Sequence, residues 1–144
     1  MIEQDTIRLL RECDAGIKMG VSSIDEVLDY VKQDSFKKYL NSCRDQHDEL
    51  NREIQKLLGE YHDEGKDPNA IAKGMSWMKT NAKLMTNESD ETVADLITDG
   101  CNKGVKSLNK YLNQYQAADE QSKDIAKRLI RLEEKLAQDI RKYL

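Results

Sequence analysis

The side chains able to do chemistry are few: three cysteines, Cys13, Cys43 and Cys101, and two histidines, His47 and His62. The cysteines are odd in number, far apart, and form no C-x-x-C, so zinc-ribbon and thioredoxin-type chemistry lacks its motif. They read as small buried hydrophobes in a reducing compartment. Cys43 and His47 lie one helical turn apart, which could pair a thiol with a base, but that spacing recurs by chance and both positions read as buried. His62 reads as a cap or a solvated residue near a helix end. No Gly-x-Ser-x-Gly elbow and no phosphate-binding glycine loop occurs. Two glycine pairs interrupt helical patterns instead, Gly16-x-x-x-Gly20 and Gly100-x-x-x-Gly104. Each interior glycine costs about 1 kcal/mol relative to alanine. Close approach of two backbones would offset that cost, as small residues allow in membrane helices, and the same face could mark self-association.

The elements that must position these residues follow from composition and period. The chain has 144 residues, 35% charged and 38% hydrophobic, with one proline. That length fits one domain, residues 1–144, with a real core. The composition favours long amphipathic helices. The net charge of −4 comes from interleaved acids and bases, the pattern of solvated helix faces. No basic stripe with interleaved aromatics points to nucleic acid. No apolar run approaches the roughly 20 residues of a membrane span, and the N-terminus carries acids where a secretory signal carries bases. A cytoplasmic protein is the expectation.

Apolar residues at steps of three and four predict a first helix from Ile2 to Val31, with Leu10, Cys13, Ile17, Ile24 and Val31 on its inner stripe. A second helix, capped by Asp34 or Ser35, carries Phe36, Leu40, Cys43, His47, Leu50, Ile54, Leu57 and Tyr61 on its stripe. It ends near Glu64, with Gly65 as a left-handed cap. A short helix follows Asp67 and Pro68, with Met75, Met78 and Met85 on one stripe and Trp77 beside them. Asn87 or Ser89 caps a further long helix from Asp90 to Gln116, with Val93, Ile97, Cys101, Gly104, Leu108, Leu112 and Tyr115 inward. Asp119 caps the last helix, with Ile125, Leu129, Leu132, Leu136 and Ile140 inward. Short loops make two antiparallel hairpins, and one long crossover lets the second helix and the Asp90–Gln116 helix run parallel.

This arrangement resembles the ferritin-like superfamily, and within it bacterial domains distantly related to rubrerythrin. The resemblance rests on Leu9-Leu10-Arg11-Glu12-Cys13-Asp14-Ala15-Gly16, on Arg44-Asp45-Gln46-His47-Asp48-Glu49-Leu50, on Gly74-Met75-Ser76-Trp77 and on Asp99-Gly100-Cys101. It implies an all-α ferritin-like four-helix bundle whose crossover holds a short fifth helix. Metal-binding members place a Glu on each of two helices and a Glu-x-x-His on each of the other two. Against that pattern, Asp14 stands where a Glu is expected, Arg44 precedes His47 by three residues, Cys101 takes the place of an inward carboxylate, and no histidine follows Glu133 or Glu134. The expectation is therefore a bundle without a di-iron centre and with no cofactor, acting as a structural or protein-interaction module. Homo-oligomerisation, or a partner bound through the methionine-rich short helix, would fit that role. The alternative is a metal-binding oxidoreductase or stress-response protein with an atypical site built from Asp14, His47, Cys101 and Glu133. Cysteine and imidazole there would favour zinc.

Overall fold

Four segments repeat apolar residues at helical spacing, and each coils so that its stripe faces inward. The computed structural model describes residues 2–63 and 88–144. They form α1 (Ile2–Leu28), α2 (Asp34–Glu60), α3 (Asp90–Gln114) and α4 (Glu120–Asp139), followed by a 3-10 turn at Arg141–Tyr143. No strand occurs among the described residues, and no described helix is long and apolar enough to cross a membrane. The short helix expected after Pro68, with the partner surface assigned to Met75, Trp77, Met78 and Met85, lies outside the described residues.

Two apolar layers fill the bundle. One gathers Leu10, Ile17, Ile54, Leu58, Leu108 and Ile125. The other gathers Ile24, Val27, Leu40, Val93, Leu136 and Ile140. The N-terminal halves of α1 and α4 enter the first layer, together with the C-terminal halves of α2 and α3. So α1 and α4 run one way, and α2 and α3 the other. α1–α2 and α3–α4 are antiparallel hairpins, and α2 ends at the end of the bundle opposite the start of α3. These directions are those expected for two hairpins and one long crossover.

Helix ends depart from expectation in instructive ways. α1 stops at Leu28 rather than Val31 because the chain turns there: the Tyr30 and Val31 N–H groups bond to the Val27 and Leu28 carbonyls. Val31 still reaches the core. Neither Asp34 nor Ser35 caps α2; Gln33 takes the N-cap position without a side-chain bond. The carboxylate of Asp90, at the start of α3, instead accepts from the Lys32 and Gln33 N–H groups at 2.7 and 3.0 Å, joining one hairpin to the other. α2 ends at Glu60, four residues before the expected Glu64. The Asp63 N–H bonds to the Leu58 carbonyl and the His62 N–H to the Gly59 carbonyl, a Schellman cap. His62 takes the left-handed position at φ 55°, and Gly65 lies outside the described residues. Ser89 and Asp119 cap α3 and α4 as expected, accepting from Thr92 and Ser122 N–H at 3.1 and 2.8 Å.

Candidate functional site

Between the two apolar layers lies a polar waist to which every helix contributes at the same level. α1 brings Gly20, α2 His47, α3 Cys101 and Gly104, and α4 Glu133. His47 is 1% exposed. It follows Cys43 by one turn, and its Nδ1 reaches the Cys43 backbone carbonyl at 2.6 Å. A carbonyl only accepts, so Nδ1 carries a proton. Nε2 meets Glu133 Oε1 in a short contact. That contact requires one more proton, which makes the pair either imidazolium with carboxylate or imidazole with carboxylic acid. Burial alone would push His47 down. The hydrogen bond and charge of Glu133, with the Cys43 carbonyl, outweigh it and raise His47 above its ordinary 6.5. The imidazolium–carboxylate form is the one this environment favours.

The cysteines stay protonated. Burial, then the charge of the neighbouring Glu133, pushes Cys101 up. Burial pushes Cys43 up to about 11 and Cys13 up to about 12. A thiol held in that form is a poor nucleophile. His47 uses the Cys43 carbonyl rather than its sulfur, so the thiol–base pairing open from the spacing does not form.

Glycine makes room for this waist, but not in the way the glycine pairs suggested. A Cβ on Gly20 would lie 3.3 Å from the His47 ring, so Gly20 exists as glycine to admit the imidazole. A Cβ on Gly104 would lie 3.9 Å from Glu133 Oε2, which is ordinary contact. Added Cβ atoms on Gly16 and Gly100 would meet nothing within 4 Å among the described residues. At Gly16 and Gly100, then, the expected tight contact between backbones is not made among the described residues, although α1 and α3 are packed neighbours. Both glycine pairs instead line a cavity of about 420 Å³ between the two helices. It runs along α1 from Glu12 to Val27 and along α3 from Leu96 to Tyr111. At 1.5 Å per residue that is about 22 Å. Met19, Ile24, Ile97, Leu108, Leu129 and Leu136 supply apolar surface, and His47, Cys101 and Glu133 its polar floor. Glu12 faces it near one end beside Tyr111, which burial and then the Glu12 charge push above its usual value. Lys103, Lys106 and Lys110 line its α3 side.

Three of the four residues of the expected atypical site, His47, Cys101 and Glu133, thus come together. Asp14 does not: it is fully buried on another side of α1, accepting from Lys18 Nζ at 2.9 Å and Gln55 Nε2 at 2.7 Å. Arg44 also points away, pairing with Asp25 at 2.7 Å, and its charge does not enter the waist. Glu134 is exposed. Among the described residues, no three His, Cys, Asp or Glu side chains are grouped to hold a metal ion. The lysine row was not singled out from sequence, although its three-and-four spacing beside the glycine stripe of α3 was the available signal. Compared with protein-family models, curated proteins and solved structures, the chain matches none.

Proposed function

We propose that the protein is a ferritin-like bundle that works as a binding module, with a small-molecule cavity at the level where its metal-loaded counterparts hold two iron ions. Helix directions support the scaffold, because α1 with α4 against α2 with α3 is the pattern of a one-crossover bundle. The position of the waist, fed by all four helices, supports the level. The observation that carries binding is the open space at Gly16 and Gly100. Two interior glycines cost about 2 kcal/mol in a fold whose total stability is on the order of 5–15 kcal/mol. Among the described residues no packed contact at Gly16 or Gly100 offsets that cost; what the glycines preserve there is volume. A 420 Å³ cavity falls within the size range of small-molecule sites.

Two measurements test this. Nile red, an uncharged apolar dye, should bind the full-length protein with blue-shifted emission. The double variant Gly16→Leu, Gly100→Leu should lose that binding while melting no lower than wild type. Dye binding that survives the double variant would sink the cavity reading. Incubation with ferrous iron, desalting and elemental analysis tests the scaffold's lost chemistry; two retained irons per chain would favour the oxidoreductase alternative.

A further inference from the structure

The charges around the cavity say more than its volume. Among the described residues, the charged and polar groups facing it are Glu12, His47, Glu133, Lys103, Lys106 and Lys110, with Ser23, Ser107 and the Cys101 thiol. His47 and Glu133 neutralise each other. Glu12 stands near one end beside Tyr111. The lysines form a row of one sign on one rim, at steps of three and four along α3, and each is exposed. Among the described residues none of the three forms an ion pair.

The trough below them is long, narrow and mostly apolar. Its two long walls are lowered by Gly16 and Gly20 on one side and by Gly100 and Gly104 on the other. A planar ring system would leave most of a 22 Å trough unfilled, whereas an extended alkyl chain would fill it. Water in the trough would find few partners away from the waist, so an apolar chain displaces it favourably, in proportion to the methylenes it buries.

We propose that the α1–α3 cavity binds a single-chain amphiphile with an anionic headgroup, its alkyl chain along the glycine-walled trough and its headgroup at Lys103, Lys106 and Lys110. This rests on the cavity reading above and adds the class of ligand. Exposed lysines contribute individually little. Together they select the sign of the headgroup, and the apolar trough supplies most of the affinity. That division of labour makes the two contributions separable.

Displacement of Nile red from the full-length protein reads both. Dodecanoate should displace the dye roughly tenfold more effectively than dodecanol, an advantage of the size three exposed charges supply. The advantage should shrink when sodium chloride is raised from 20 mM to 500 mM, as screening shortens the reach of the lysines. The triple variant Lys103→Gln, Lys106→Gln, Lys110→Gln should bind dodecanol as wild type does and lose the preference for dodecanoate. Equal displacement by dodecanoate and dodecanol, or a preference that survives the triple variant, overturns the headgroup assignment and leaves the cavity standing. Absence of Nile red binding, together with a lowered melting temperature for Gly100→Leu, would mean that the trough is filled within the chain, and both readings fall. Co-sedimentation with vesicles of phosphatidylglycerol and phosphatidylcholine, without displacement by free dodecanoate, would assign the lysine row to a membrane surface and also overturn the proposal.

Discussion

At the scale of single residues, the His47–Glu133 pair decides how the waist responds to pH. His47 is held above 6.5 in the folded protein, so the folded state grips the proton more tightly than the unfolded chain does. The stabilisation from the pair is complete below about pH 6.5 and is lost as pH rises through the higher folded value. Urea denaturation across pH 6 to 9 should therefore show stability declining with rising pH, and Glu133→Ala should flatten that dependence. The same variant should lower stability at pH 6 by about 1–3 kcal/mol, because it strips a buried imidazole of its partner. The charged groups acting on His47 are Glu133 across the waist and Asp48 on its own helix; Asp48→Asn should leave the slope mostly intact. The two glycines of α1 separate in the same way. Gly16→Ala gains helix propensity in open space and should raise the melting temperature by roughly 3 °C. Gly20→Ala pushes a methyl to 3.3 Å from a ring fixed at both nitrogens. It should melt below Gly16→Ala and shift the His47 imidazole signals in a two-dimensional NMR spectrum.

At the scale of elements, the apolar stripes were legible because burial writes itself at a period of 3.6. Phe36, Leu40, Cys43, His47, Leu50 and Ile54 lie in the core as the spacing implies, whereas in the last turns Leu58 takes the buried position and Leu57 and Tyr61 are only partly buried. Helix ends were less legible. The sequence around Asp34 and Ser35 looks like a cap, yet the acceptor at that junction comes from Asp90, more than fifty residues away. Long-range partners leave no local trace. Gly65 was the obvious left-handed residue, but α2 closes earlier through His62. A non-glycine residue there pays about 1 kcal/mol for its Cβ. His62→Gly should recover about that much in a denaturant titration, without affecting dye binding. A loss of stability instead would mean that the imidazole makes a contact outweighing its backbone strain.

At the scale of the whole molecule, hairpins and helix directions could be read from loop lengths, whereas the cavity could not. A stripe of small residues specifies what may approach, not how near it comes. Gly16 and Gly100 fit a tight interface and an open trough equally well until the distance between α1 and α3 is known. The waist was hidden for a related reason: His47 and Glu133 are 86 residues apart, and each alone resembles an ordinary inward or flanking residue. Once the trough is open, stability and binding oppose each other. A ligand that occupies only the folded state raises stability by mass action, about 2.7 kcal/mol at a hundred times its dissociation constant. For a chain of this length that corresponds to a melting shift of roughly 8 °C. Gly16→Leu with Gly100→Leu should match or exceed the melting temperature of the empty wild type, since leucine favours helix and fills the void. It should then show no further shift with dodecanoate. A thermal scan of both proteins, with and without the acid, separates the alternatives. A double variant that melts lower yet still responds to ligand would place the binding elsewhere. One that melts higher and no longer responds is the outcome expected if helix stability was given up to keep a chamber open.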